Sequence, residues 1–151
     1  MRQALLLVTV AGRLCGLPVE HVRETMRPLP LETLSHAPRF VAGVSIVRGE
    51  PTPVVDLALL FDDGKASKPT RLVTLRLNES RCVGVLVERV LRVHYLEHEQ
   101  SATLPRLLDA AATELVQKLS ELDGELLWVL QAGPLLPDSV WNALASHEVA
   151  P

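Results

Sequence analysis

Aromatic side chains are scarce in this chain, with two Phe, two Trp and one Tyr among 151 residues. Binding of single-stranded nucleic acid draws on aromatic stacking platforms set in a basic groove. The net charge is −3 and the pI is near 5.9, so nucleic acid is excluded as an expected partner. Cysteine is nearly absent too. Cys15 and Cys82 lie far apart and outside any Cys-x-x-Cys spacing, which excludes a disulfide framework and a zinc knuckle. Each sits among apolar residues, and both are expected to be buried, reduced thiols. No apolar run approaches the ~18 residues of a membrane helix. Residues 5–10 follow Met1-Arg2 in the manner of a signal peptide, but the run is short, no Ala-x-Ala site follows, and Arg13 arrives at once. A cytoplasmic protein without membrane insertion is the expectation. Gly-x-Ser-x-Gly elbows, phosphate loops and dinucleotide fingerprints are missing as well.

What the chain does hold is apolar material in strand-like runs. Hydrophobic residues make up 48% of it, enough to bury the core of one domain or of two small lobes. The organising stretch is 40–61. There two β-branched runs, 41–47 and 54–60, flank the polar corner Arg48-Gly49-Glu50. Val, Ile and Thr favour pleated strands, and Gly49 supplies the positive φ of a reversing turn. Pro51 and Pro53 cannot donate to a ladder, so the strand leaving the corner begins as an edge. Arg48 is thereby a permanent charge held at a bend between two apolar strands, either a contact point or an ordinary solvated arginine.

Strands are expected over 5–10 and 14–17, joined at Gly12-Arg13, and a Pro-punctuated loop over 27–39. A polar linker at 62–69 divides the chain. Beyond it the alternation of 71–77 predicts a half-buried strand, 81–87 its return and 90–96 another. Residues 110–119 read as helix or strand, 126–130 as a buried strand, and Asp138 or Ser139 caps a closing helix that sets Val140, Trp141 and Leu144 on one face. One internal echo stands out. Arg13, Gly16, Val19, Glu20 and Val22 recur in register as Arg81, Gly84, Val87, Glu88 and Val90, the mark of a duplicated unit. Two similar small β lobes follow, and many short strands with turn punctuation suit barrels.

Gly43-Val44-Ser45-Ile46-Val47-Arg48-Gly49 followed by Pro53-Val54-Val55-Asp56-Leu57 resembles the signature of the CheW family, the adaptor proteins of bacterial chemotaxis. Ile46-Val47 stands where the family usually has Asn-Leu. Weaker matches fall on Val22-x-Glu24, with Thr25 replacing Ile, and on 83–90, with Glu88 where Asp is commoner. Gln131 departs from the usual end of the last strand. The resemblance implies a mainly β fold of two SH3-like five-stranded barrel lobes around a shared core, with a short C-terminal helix. Lobe 1 would span roughly 5–64, lobe 2 roughly 70–136 and the helix roughly 138–146. It further implies a non-enzymatic, cofactor-free scaffold, monomeric when free, that couples a chemoreceptor's cytoplasmic tip to the regulatory domain of a CheA-type histidine kinase. Carried over by position, Arg48, Gly43, Val22 and Glu24 map to the partner-coupling region. Gly84, Val85, Leu86 and Val87 map to a second-lobe segment that faces the kinase.

Two rivals come from other classes. A double β-barrel could bind a small molecule between its lobes. His94-Tyr95-Leu96-Glu97-His98 matches the His-x-x-Glu-His of zinc hydrolases, whose mechanism needs both His on one helical face. The preceding residues are strand-like, and in a strand the two His stand ~13 Å apart, too far for one zinc. Asp56, between Val55 and Leu57, is expected either to face outward or to find a donor such as Arg48 or a backbone N–H.

Overall fold

The computed structural model describes residues 2–61, 68–97, 116–131 and 136–146, the last without its side chain. Ten strands run β1 (Arg2–Val10), β2 (Arg13–Pro18), β3 (Val22–Met26), β4 (Val41–Val47), β5 (Glu50–Asp56), β6 (Arg71–Arg76), β7 (Cys82–Val87), β8 (Arg89–Glu97), β9 (Val116–Leu122) and β10 (Glu125–Leu130), and helix α1 (Asp138–Ser146) follows. They form two five-stranded sheets, A in the order β8-β1-β2-β10-β9 and B in the order β3-β6-β7-β5-β4. Of the segment 110–119, which reads as helix or strand, the first part lies outside the described residues and the rest belongs to β9. The linker residues 62–67 are likewise outside.

Three hairpin corners share one chemistry. Ala11-Gly12, Arg48-Gly49 and Asp123-Gly124 all take positive φ at both residues, which matches the right-handed twist of the flanking strands. Pro51 and Pro53 pair with β4, while the parallel ladder to β7 begins only at Val54, so the missing donors fall where no second neighbour needs them. The strand expected to reach residue 60 stops at Asp56. There the carboxylate accepts the Ala58 N–H at 3.1 Å and turns Leu57–Leu60 into a 3-10 turn.

The duplication is visible in the pairing. Each sheet has an antiparallel pair (β1-β2, β6-β7), a parallel partner on the second strand (β10, β5) and antiparallel outer strands. The echoed glycines have one reason. A Cβ on Gly16 would meet Leu5 Cδ1 at 3.0 Å, and one on Gly84 would meet Leu72 Cδ1 at 2.9 Å. Each Gly makes room for a leucine from the neighbouring strand inside its sheet.

The division into contiguous lobes at the linker does not follow the sheets. Sheet A takes β1 and β2 from the first half and β8–β10 from the second, and sheet B takes β3–β5 with β6 and β7. Pro18 ends β2, and the short turn Val19–His21 carries the chain across to pair β3 with β6. Glu88 makes the return crossing, its N–H donating to Thr9 O at 2.8 Å and its side chain accepting the Gly12 N–H at 2.9 Å. Each sheet therefore carries two apolar faces. Leu5, Leu7, Leu96, Leu127 and Val129 form a cluster of their own on one face of A, and Val54, Leu72 and Leu86 one on a face of B. The larger cluster, including Val8, Leu17, Val55, Leu75, Val85 and Trp128, joins the two sheets and takes in Val140 of α1. Arg13 stacks over Phe61 at 4.6 Å, and its counterpart Arg81 over Trp141 at 5.0 Å.

Candidate functional site

The β4–β5 hairpin projects Arg48 from a left-handed turn position, φ 52°. A non-glycine residue there is uncommon, but Ala11 and Asp123 occupy the same position in the other two hairpins. The backbone state thus belongs to the turn type, and only the guanidinium is particular to this corner. Its fork meets Glu24 of β3 bidentately, Nε donating to Oε1 at 3.1 Å and Nη2 to Oε2 at 2.8 Å. Glu24 is itself fixed, because its N–H donates to Thr74 Oγ1 at 3.2 Å beside the β3 bulge. The Arg48 hydrogen bond pulls the Glu24 carboxyl below its ordinary range, and Glu24 pushes Arg48 further up. With the Arg48 side chain 79% exposed and Glu24 31%, the pair is a presented surface and not a buried strut.

The pair forms a ridge between two depressions. On one side lie Met26, Leu29 and Ile46, with Leu31 close by over Gly43. Ile46 is 53% exposed and Leu31 41%. On the other side is a cleft of about 440 Å³ lined by Arg23, Glu50, Thr52, Thr74, Arg76 and Cys82. A second apolar patch sits on sheet A. β8 is an edge strand, and its outward residues Leu91, Val93 and Tyr95 are 44%, 44% and 60% exposed.

Of the residues singled out from sequence, Arg48 and Glu24 are brought together and face solvent. Gly43 is buried: a Cβ there would stand 2.4 Å from Glu32 O, at φ 148°. The glycine lets the 30–32 segment lie on β4, where Glu32 and Val44 exchange two 2.8 Å hydrogen bonds and Ser45 Oγ donates to Pro30 O at 2.8 Å. Its part in the fold is to seat Leu31. Val22 is half-buried and packs on the main core opposite Leu75. Gly84, Val85, Leu86 and Val87 form the central strand of sheet B and are all buried, so they cannot face a kinase. An apolar run with an internal Gly is what a strand covered on both faces looks like.

Asp56 finds its donor in the Ala58 N–H and not in Arg48. Burial pushes its carboxyl above the ordinary range, and that hydrogen bond only partly offsets the rise. His94 and Glu97 lie on β8, where Glu97 meets Arg2 Nε at 3.0 Å, and His98 is outside the described residues. Among the described residues no group of three or more His, Cys, Asp or Glu could hold a metal. Cys15 is buried as expected, and burial pushes its thiol up to about 12. Cys82, by contrast, is only half-buried and lines the cleft. Sequence reasoning missed Leu31, Ile46 and the β8 stripe. Alternation marked all of them as strand or loop residues, but nothing local says which strand lies at an edge.

The family model of the CheW-like domain matches residues 4–140. The chain is 28% identical over 150 residues to the chemotaxis protein CheW of Klebsiella aerogenes, a match covering 96% of this chain and 90% of that protein. It is 32% identical over 102 residues to protein FrzA of Myxococcus xanthus, covering 67% of this chain and 64% of FrzA. The crystal structure of the scaffolding protein TtCheW from Thermoanaerobacter tengcongensis has a similar fold, with TM-score 0.74 at 22% identity, covering 87% of this chain and 86% of that one. With the family match running through both sheets and into α1, the chain belongs to the CheW-like family.

Proposed function

We propose that the chain is a chemotaxis coupling adaptor that docks two proteins on two separate surfaces and performs no chemistry of its own. The hairpin corner of sheet B, with Leu31, Ile46 and the Glu24–Arg48 ridge, receives the regulatory domain of a CheA-type histidine kinase. The β8 stripe of sheet A receives the helical tip of a chemoreceptor. One observation carries this reading: each sheet exposes its own apolar patch, and scattered single apolar residues would call for no such account.

Each contact need cover only ~800 Å² per partner to be specific, and transient contacts run smaller. Holding two partners on one body raises the effective concentration of each for the other, so modest affinities suffice to assemble an array. The Glu24–Arg48 ridge tunes register and encounter rate more than raw affinity. No helix of the described residues is long and apolar enough to cross a membrane, and work at the cytoplasmic face, as a monomer when free, is part of the proposal. A small-molecule site between the sheets has no observation in its favour.

Binding of the purified partners tests it. Ile46→Asp should abolish kinase-domain binding and spare receptor-tip binding, and Val93→Asp should do the reverse. A single substitution that removes both, with the fold intact, contradicts two separate surfaces.

A further inference from the structure

The cleft beside the Glu24–Arg48 pair is lined by more positive than negative side chains. Arg23 of β3 and Arg76 of β6 flank the cleft, with Thr52 and Cys82 in its wall and the Glu24–Arg48 pair along one rim. The two hydroxyls nearby are used internally. Thr52 Oγ1 donates to Glu50 O at 3.1 Å, and Thr74 Oγ1 donates to Glu24 O at 3.3 Å. The two guanidiniums are not. The ion pairs of the described residues engage Arg2, His21, Arg48 and Arg81, while Arg23 stands 3.7 Å from Nη1 to Cys82 Sγ and adds only a minor attraction to Glu24, which Arg48 already pairs. Since Arg48 cancels Glu24, the lining is left with Arg23 and Arg76 against the lone carboxylate of Glu50. The chain as a whole carries −3, so this excess of positive charge in a concavity runs against the average.

We infer that the cleft is a docking notch for a carboxylate side chain carried by the protein that seats on the β4–β5 hairpin. Guanidinium forks match carboxylates bidentately, and one net positive charge suits a monoanion. Glu50 in the wall disfavours a doubly charged phosphate by like-charge repulsion. The notch is continuous with the apolar depression, because Glu24, Val47 and Arg48 line both. The inference rests on the kinase-docking reading and adds to it the chemistry that the kinase domain must present, an Asp or Glu beside the apolar side chain that covers Ile46.

Cys82 provides the footprint. Of the two thiols in the chain, Cys15 has no exposed surface and Cys82 is half-buried, so N-ethylmaleimide should modify the native protein at Cys82 alone. Saturating kinase regulatory domain should slow that modification at least ~10-fold if access requires dissociation. The double variant Arg23→Gln with Arg76→Gln should weaken binding about tenfold at low salt, and its affinity should converge with wild type near ~0.5 M salt, where exposed charges are screened. Both side chains are exposed, so the thermal midpoint should hold. Unchanged alkylation in the complex, or wild-type affinity and salt slope in the double variant, overturns the notch. If Ile46→Asp still abolishes binding in that case, the hairpin reading stands. If the wild-type chain binds no kinase domain, the hairpin reading falls and takes the notch with it.

Discussion

Truncating Ile46 separates docking from folding. Ile46 points outward from β4 opposite Pro51 and is 53% exposed, so about half of its surface is already wet in the free protein. Ile46→Ala should therefore cost on the order of 1 kcal/mol of folding stability, against the 2–5 kcal/mol of a fully buried site. In a chain of this size that lowers the thermal midpoint by about 2–4 °C. A kinase domain seated on the hairpin would cover roughly 80 Å² of remaining apolar side chain, worth about 2 kcal/mol at the usual area coefficient. Losing it weakens the dissociation constant by about 30-fold. Isothermal titration of the purified regulatory domain into wild type and variant reads this directly, alongside thermal unfolding. A change under about threefold with an intact midpoint would mean that nothing covers Ile46, since interface hot spots cost more than that. A fall in midpoint above about 10 °C would mean that the side chain belongs to the core.

Gly43→Asp forces a Cβ into the Glu32 carbonyl and strains the backbone. It should cost about 3 kcal/mol in chemical denaturation and displace the Leu31 segment, weakening kinase-domain binding in whatever protein still folds. Gly84→Ala is tight only against the Leu72 side chain, at 2.9 Å to Cδ1, with Val54 Cγ2 at 3.4 Å. A loss of about 1–2 kcal/mol is expected, with kinase-domain affinity within about twofold of wild type, because the site is interior. Two carboxylates give opposite pH signatures. Glu24 has a lowered pKa in the folded state, so its stabilisation is present above the ordinary carboxylate range and lost as pH falls through the depressed value. Arg48→Ala should flatten that acid limb in a series of thermal midpoints. Asp56 is raised, so its contribution is present below the ordinary value and lost as pH rises through the raised one. Asp56→Asn keeps an acceptor for Ala58, and should match wild type near about pH 3 and exceed its midpoint at neutral pH. A variant less stable at neutral pH would refute the burial argument.

Local chemistry made much of the fold readable. Apolar alternation with the corners at Gly12-Arg13 and Arg48-Gly49 marks two of the hairpins, though not the one at Asp123-Gly124, and the echo of Arg13–Val22 in Arg81–Val90 announces the two matching sheets. What stayed hidden was pairing between distant segments. The alternation of β3 is the same whether it lies beside β2 or, as it does, beside β6, so contiguous lobes and interleaved ones look alike in one dimension. The candidate site split along the same line. Glu24 and Arg48 are far apart in sequence, yet both belonged to recognisable motifs, and the bidentate pair joins them. Position in a lobe points to Gly84 to Val87, but they are buried in the central strand of sheet B. The exposure of Leu91, Val93 and Tyr95 follows from the edge position of β8, which no residue in β8 encodes by itself.

Sedimentation velocity of the chain with a kinase regulatory domain and a soluble receptor-tip fragment, alone and together, bears most directly on coupling through two surfaces. A single ternary species should form, with Ile46→Asp removing only the kinase domain from it and Val93→Asp only the receptor fragment. Displacement of one partner by the other, with no species containing all three, would contradict it.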